Sequence, residues 1–304
     1  MFNRISRLGI VGLFCSAAAP LASAQSLVAW GSNDSGQTYV PTTGAYKAIG
    51  AGLTYSLALK TDGTIVAWGA SGSGDILNVP TGSHTAIAAG HSHGLALKTD
   101  GTIVGWGFND QLQTVVPTTG TYKAIAAGIY HSLALKSDGT IVGWGQNFDG
   151  QIDVPSGTYK AIAAGIYHSL ALKTDGTIVG WGNNGSGEIN VPTSGTYTAI
   201  AAGFFHGLAV KKIATPQEQI AAIIAQVQAL VTAGTLNTGQ GAGLIAKLDE
   251  IIAKLNNGQT HPACNQLGAF VNQVNAFVRS GALTPAQGQR LISAASAVST
   301  QIGC

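Results

Sequence analysis

The sequence predicts an all-β propeller of five blades, closed by its own N-terminal strand, followed by a small all-α domain of four helices. Three observations carry that reading. Tryptophans stand at 30, 68, 106, 144 and 181, so one unit recurs at steps of 38, 38, 38 and 37 residues, the signature of a solenoid or propeller. Each complete unit holds an Asp-Gly pair between short apolar runs, as in His131-Ser-Leu-Ala-Leu-Lys-Ser-Asp-Gly-Thr-Ile-Val-Gly-Trp-Gly145, which reads as a hairpin with a type I′ turn at Asp138-Gly139. After Lys212 the period-two pattern gives way to apolar residues at helical spacing.

Taken in order, Met1 to Ala24 reads as an export signal. Arg4 and Arg7 charge its start, Leu8 to Leu21 is mostly apolar, and Ala22-Ser-Ala24 offers a cleavage site before Gln25. Pro20 interrupts an apolar run already short for a membrane span, so no span is expected once the signal is removed. Phe14 before Cys15 is too large for a lipoprotein signal. The expected domains are residues 1–24 as signal, 25–212 as propeller and 213–304 as helical bundle. The protein is expected outside the cytoplasm, secreted or in the periplasm or at the cell surface.

Without Arg4 and Arg7, 13 basic residues balance 13 acidic ones. No basic stripe is present to neutralise phosphates, which argues against nucleic acid as a partner. Charged residues make up only 9% of the chain and Gly accounts for 42 residues, as expected of a turn-dense β protein.

Each module after Trp-Gly has the same order of parts. A polar turn such as Gln146-Asn-Phe-Asp-Gly-Gln151 precedes a short apolar segment ending in proline, Ile152-Asp-Val-Pro155. A Gly-Thr-Tyr turn then leads into Lys160-Ala-Ile-Ala-Ala-Gly165 and the His-Ser-Leu-Ala-Leu strand. About four strands per module are expected, the proline-bearing one outermost because proline cannot donate to a central ladder. The Ala-Ile-Ala-Ala-Gly segment suits the innermost position, where small side chains let several backbones converge. The first module, Leu27 to Pro41, supplies only outer strands, and the last, Tyr197 to Lys211, only inner ones. Leu27 to Trp30 is therefore expected to pair beside Leu208 to Lys211 and complete the fifth blade.

The recurring Trp-Gly-x-Asn, Gly-Gln, Ala-Ala-Gly-x-x-His-Ser-Leu-Ala-Leu and Asp-Gly-Thr elements resemble the RCC1-type repeat over residues 26–211. The resemblance implies a β-propeller, by itself one of seven blades, and a scaffold for protein contacts rather than any chemistry. The eukaryotic namesake acts on a nuclear GTPase and chromatin, a role that an exported chain without a basic patch does not fit.

In the tail, Thr215-Pro-Gln-Glu218 is a capping box with proline at the first helical position. Ile220, Ile223, Ile224, Val227, Leu230 and Val231 form one apolar stripe. Further helices are expected near 238–256, 262–280 and 285–303. Val227 to Gly241 aligns with Val274 to Gly288 at an offset of 47 residues, giving two αα-hairpins packed as a four-helix bundle. Cys264 opens the third helix and Cys304 ends the fourth, so an antiparallel hairpin brings them within reach of a disulfide. The stretch from Ala263-Cys-Asn-Gln-Leu to Leu283-Thr-Pro-Ala-Gln-Gly is similar to the FIMAH-type helical domain of exported bacterial proteins, which implies an attachment or interaction module.

Candidate sites are few. His93, His131, His168 and His206 share one repeat position, with Tyr55 in the fifth copy. Whole blades separate them, too far for one metal ion, so they read, with Trp30, Trp68, Trp106, Trp144 and Trp181, as structural residues bonded within their own blades. Asp62, Asp100, Asp138 and Asp175 belong to turns. Gly69-Ala-Ser-Gly-Ser-Gly74 lacks the Lys-Ser/Thr end of a phosphate loop. No catalytic residue, metal or cofactor is expected. The pair before the histidine varies between copies and carries Tyr130, Tyr167, Phe204 and Phe205. These four are candidate partner contacts on one face, and Phe108 and Phe148 mark a second variable set on another edge. The expected function is non-enzymatic binding of a protein or cell-surface ligand by a monomer. A glycan-binding lectin is the alternative, and a secreted enzyme using the central channel a third.

Overall fold

The computed structural model describes residues 27–41, 44–70 and 75–304. The expected signal in Met1 to Ala24, its Cys15, and residues 71–74 of the glycine-rich stretch lie outside the described residues. The chain divides into two compact units between Lys212 and Ile213.

The first unit consists of five small antiparallel sheets in succession. Sheet 1 holds β1 (Tyr46–Ala51), β2 (Tyr55–Lys60) and β3 (Ile65–Gly69), and sheet 2 holds β4 (His84–Ala89), β5 (His93–Lys98) and β6 (Ile103–Gly107). Sheet 3 holds β7 (Tyr122–Ala127), β8 (His131–Lys136) and β9 (Ile141–Gly145). Sheet 4 holds β10 (Tyr159–Ala164), β11 (His168–Lys173) and β12 (Ile178–Gly182). Sheet 5 has two strands, β13 (Tyr197–Ala202) and β14 (Gly207–Lys211).

Three strands per sheet, not four, is the first difference from expectation. The segment before each proline folds back on itself instead of joining a ladder. The Asp153 N–H donates to Gly150 O at 3.0 Å and the Val154 N–H to Ile152 O at 2.9 Å. Those bonds consume the groups a fourth strand would have used.

The hairpin turn differs as well. Gly139 has φ +90°, but Ser137 and Asp138 do not share its left-handed conformation. Gly139 N–H donates to Lys136 O at 3.0 Å, and Lys136 N–H to Thr140 O at 2.8 Å. This is a type I turn closed by a left-handed glycine, the three-residue hairpin loop, rather than type I′. The Asp138 carboxylate fixes it by accepting the Thr140 N–H at 2.8 Å and hydroxyl at 2.7 Å.

Neighbouring sheets join through one repeated contact. An isoleucine of each inner strand packs among leucines of the preceding sheet's middle strand. Ile87 clusters with Leu57 and Leu59, Ile125 with Leu95 and Leu97, Ile162 with Leu133 and Leu135, and Ile200 with Leu170 and Leu172. Burying each such side chain stabilises by about 1.5–3 kcal/mol.

The expected fifth-blade pairing is not formed. Residues 27–30 belong to no strand, Val28 and Trp30 are exposed, and no described strand pairs with the outward edge of β14. The joint that would accompany it is also unmade, since Ile49 on sheet 1 and Leu208 on sheet 5 are both exposed.

The second unit has α1 (Pro216–Thr232), α2 (Thr238–Asn256), α3 (Thr260–Arg279) and α4 (Pro285–Ile302). Capping boxes open three of them, on Thr215 with Glu218, Asn237 with Gln240 and Thr284 with Gln287. Left-handed Gly234 and Gly281 follow the ends of α1 and α3, with φ of +72° and +78°. The 47-residue repeat has a packing cause. A Cβ on Gly241 or Gly288 would lie 2.2 Å from a methyl of Val231 or Val278 respectively, so both helix pairs need glycine to approach. Ile220, Ile223, Leu248, Leu267, Phe270 and Leu291 fill the core. No described helix is long and apolar enough to cross a membrane.

Cys264 and Cys304 are disulfide-bonded, with Cα atoms 5.6 Å apart and a sequence separation of 40. The chain-entropy model assigns a loop of that length about 3–4 kcal/mol. Reduction is therefore expected to lower the unfolding free energy of the helical unit by that amount, read as a lower denaturant midpoint. An unchanged midpoint after verified reduction would show that the bond does not constrain the unfolded chain.

Candidate functional site around the axial cavity

The inner ends of all five sheets line one cavity of about 50 Å³. Ala51, Ala89, Ala127, Ala164 and Ala202 supply its wall with the glycines that follow them, and Leu53, His91, Ile129 and Phe204 complete it. The lining is apolar and the space is too small for a metabolite. Among the described residues no group of three His, Cys, Asp or Glu could hold a metal ion.

The chemistry of the Ala-Ala-Gly-x-x-His element explains this geometry. A Cβ on Gly90, Gly128 or Gly165 would lie 2.4, 2.3 or 2.1 Å from the imidazole of His93, His131 or His168. Each ring therefore occupies the place of the glycine's absent side chain. It does not bond within its own blade, as the sequence led us to expect, but bridges to the next. His93 Nε2 is 3.0 Å from Ser132 Oγ, and His131 Nε2 is 3.1 Å from Ser169 Oγ. Each serine hydroxyl also donates to a loop carbonyl, Ser132 to Gln113 and Ser169 to Gln151.

Where the serine is absent, the relay changes. Gly94 faces sheet 1, and there Tyr55 replaces histidine and donates its hydroxyl to the carbonyls of Gly90 and His93, at 3.0 and 2.7 Å. Gly207 holds the serine position in sheet 5, and the His168 Nε2 has no hydrogen-bond partner. Burial pushes the Tyr55 phenol far up and holds both His93 and His131 down at about 3. For His131 the neighbouring His93 and His168 add to that depression.

The tryptophans hold the loops. Trp68, Trp106, Trp144 and Trp181 donate their indole N–H to the carbonyls of Gln37, Ile76, Gln113 and Gln151, at 2.8–2.9 Å. The side chain of each loop's Gln or Glu folds the turn, since Gln113 Oε1 accepts Gln111 N–H, Gln151 Oε1 accepts Asp149 N–H and Glu188 Oε2 accepts Ser186 N–H.

The candidate contact residues separate on this frame. Phe204 lines the cavity, Tyr130 and Tyr167 are half-buried beside it, and Phe205 is exposed. The two variable sets do not lie on separate edges. The loops after Trp-Gly begin against the variable pairs, with Phe108 N–H on Ser92 O and Gln146 N–H on Tyr130 O. The Phe108 and Tyr130 rings are consequently 6.2 Å apart, with His91 6.3 Å from Tyr130. Phe148 stands apart, exposed on its turn. The varying pairs, Leu53, His91 and Ile129 among them, were expected to gather on one face, but not to line a cavity. These three are the first members of their pairs, and only the convergence of the sheets shows that this member faces inward.

The repeated side chains match the family model of the Regulator of chromosome condensation (RCC1) repeat at residues 85–113, 122–151 and 159–188. The FIMAH domain model matches residues 220–300. The chain carries RCC1 repeats and a FIMAH domain. Each matched RCC1 repeat runs from an inner strand to Gln113, Gln151 or Glu188, the Gln/Glu position of its loop.

Solved structures share the repeat fold. The ectodomain of the Physcomitrella patens receptor kinase CR4 is 23% identical with TM-score 0.50, over 58% of this chain and 52% of that one. The CRINKLY WD40 ectodomain of the Arabidopsis thaliana receptor kinase ACR4 is 22% identical with TM-score 0.50, over 60% of this chain and 68% of that one. Yeast RCC1 (Prp20), solved bound to Kap60, is 21% identical with TM-score 0.49, over 57% and 56%. The chain thus spans about half the length of the Physcomitrella ectodomain. No curated protein matches it.

The buried imidazoles set an acid limit. The native state keeps His93 and His131 neutral down to about pH 3, while the unfolded chain takes up protons near pH 6.5. Between those values the unfolded state binds more protons, so stability falls as pH drops, by about 1.4 kcal/mol per pH unit for each histidine. Urea titrations across this window should show that slope, and His131→Gln should flatten it by about one proton. An unaltered slope in the variant would mean that His131 titrates normally.

Proposed function

We propose that this chain is an exported, non-enzymatic binding scaffold. Its five sheets act as five blades, and the loops around the axial cavity contact a protein or cell-surface ligand. The FIMAH domain serves as the attachment or interaction module. The observation that carries the reading is where variation falls. Positions that recur with few replacements from module to module are the Gly, His, Ser and Trp that hold the sheets, whereas the differing pairs gather near the cavity with exposed or half-buried aromatic rings. Aromatic side chains bury large area at little rotamer cost and recur as interface anchors.

The polar groups support a non-enzymatic role. The Asp138 carboxylate is held by Thr140 and kept below the usual carboxylate range by those bonds, and Asp62, Asp100 and Asp175 repeat the arrangement. His93 and His131 are sealed from solvent and neutral. The lectin alternative needs free amides and carboxylates on the turns. There, Asn147 already serves Asp153 and Ile152, and Asp149 accepts from Asn183.

Alanine at Phe205, Tyr130 or Phe108 should weaken capture of the partner from the exported fraction by ~1–3 kcal/mol, with the melting temperature unchanged. Loss of ~3–5 kcal/mol of stability without a binding defect would mark these rings as core packing instead. A glycan array returning several equivalent weak sites would favour the lectin.

A further inference from the structure

The fifth joint of the repeat is present as two unmated halves. At the four joints inside the chain, the receiving leucines and the inserted isoleucine are each at most 9% exposed. At the ends of the series the same positions are open. Leu208 and Val210, on the receiving face of sheet 5, are 64% and 58% exposed, and Ile49, the inserting residue of sheet 1, is 57% exposed.

The N-terminal segment belongs to the same joint. Trp68, Trp106, Trp144 and Trp181 stand on the third strands of sheets 1 to 4, and the loop after each crosses to the next sheet. In sheets 3 and 4 the tryptophan and serine bind the arriving loop's carbonyl, and in sheet 2 the tryptophan alone does. Gln37 is held on sheet 1 in this way by Ser56 Oγ at 2.9 Å and the Trp68 indole at 2.8 Å. By the same pattern Trp30 holds the third-strand position of a sheet that would precede sheet 1, yet it is on no strand and is 85% exposed. Sheet 5 lacks that strand. Ser169 pairs with Trp181 and Ala171 with Val179 in sheet 4. The same register would set Gly207 opposite Trp30 and Ala209 opposite Val28, and the exposed His206 would reach Ser56 as His131 reaches Ser169.

We infer that copies of this chain join head to tail, the segment Leu27 to Gly31 and the Ile49 face of one copy completing sheet 5 of the next. A second copy, rather than the chain's own N-terminus, is the occupant because the four internal joints are all built from the same contacts, and after four such steps the chain's own mating faces are still apart. Another copy makes the fifth joint without altering the other four. Such a contact is heterologous, so it propagates until a ring closes, and it adds a strand to an open edge in the manner of β-augmentation. It is independent of the ligand reading.

Sedimentation of the full exported chain over a wide concentration range tests this. Wild type should grow from monomer into dimers and larger species. Leu208→Lys with Val210→Lys should remain monomeric, and so should Ile49→Lys. Each of these variants keeps one intact end, so mixing them should give a one-to-one dimer that grows no further. All three positions are exposed, and far-UV circular dichroism with melting curves checks that the variants fold. Trp30→Ser, which removes the indole without adding charge, should weaken assembly in the same sense. A wild type that is monomeric throughout would overturn the inference. In that case, protection of Trp30 from a soluble quencher, read as the difference from Trp30→Phe, would show that the chain closes on itself. Self-association that the variants do not block, or a mixture that forms no dimer, would place the contact elsewhere and overturn it equally.

Discussion

The bond from the indoles of Trp68, Trp106, Trp144 and Trp181 to a carbonyl in the segment that arrives at each sheet is the constraint on which the β unit depends. No sheet has more than three strands, and a lone hairpin-sized sheet is marginal in water. The indole N–H turns the crossing loop into a fixed strap, and the serine hydroxyl beside it binds the same carbonyl at Gln37, Gln113 and Gln151. With the strap in place, the isoleucine of the next inner strand meets its leucine pair without further ordering. Hydrogen bonding and apolar burial thus act at the two ends of one connection. Losing either would expose the other.

The same logic explains why glycine and histidine recur together. A glycine three residues before the imidazole leaves the volume that the ring fills, and the ring reaches across to a serine in the next sheet. Buried polar groups cost several kcal/mol when unpaired, so the relay is sensitive to each member. The chain shows two responses to a missing hydroxyl. At Gly94 the histidine partner is replaced by Tyr55, whose longer reach finds main-chain carbonyls. At Gly207 the histidine is kept, and the Nε2 of His168 lacks a partner. The unpartnered atom therefore lies on sheet 4, at its joint with the two-stranded sheet 5.

Much of this was legible in the sequence because it rests on local chemistry. The module length, the Asp-Gly hairpins, three capping boxes and the paired cysteines each depend on residues close together in sequence or on a strict period. What was not legible depends on which of several local solutions the third dimension selects. Asp-Gly suits both type I′ and the type I turn with a left-handed glycine, and the Thr140 hydroxyl on Asp138 favours the latter. Ile152-Asp-Val-Pro155 alternates like a strand, yet its backbone groups are consumed by tight turns. Histidine was expected to bond inside its blade, because the glycine that makes room for it is local while the serine that receives it lies about 38 residues on. The neighbourhood of Phe108 and Tyr130 was hidden for the same reason, since they belong to different sheets.

The variable pair sits in a narrow frame. Before it stands a glycine that cannot gain a side chain without striking the imidazole, and after it stands the imidazole itself. The loop length is thereby fixed at two residues, and the first member lines the cavity at Leu53, His91, Ile129 and Phe204. Side chains at these two positions can differ from sheet to sheet, Leu53-Thr54, His91-Ser92, Ile129-Tyr130, Ile166-Tyr167 and Phe204-Phe205, without disturbing the relay beneath them. With only 9% charged residues and little net charge, long-range steering of a partner is weak. Under the proposed binding role, recognition at this end of the β unit would come from the shape and apolar area of those side chains. The ten variable positions would then set specificity, while the residues of the relay beneath them set the architecture.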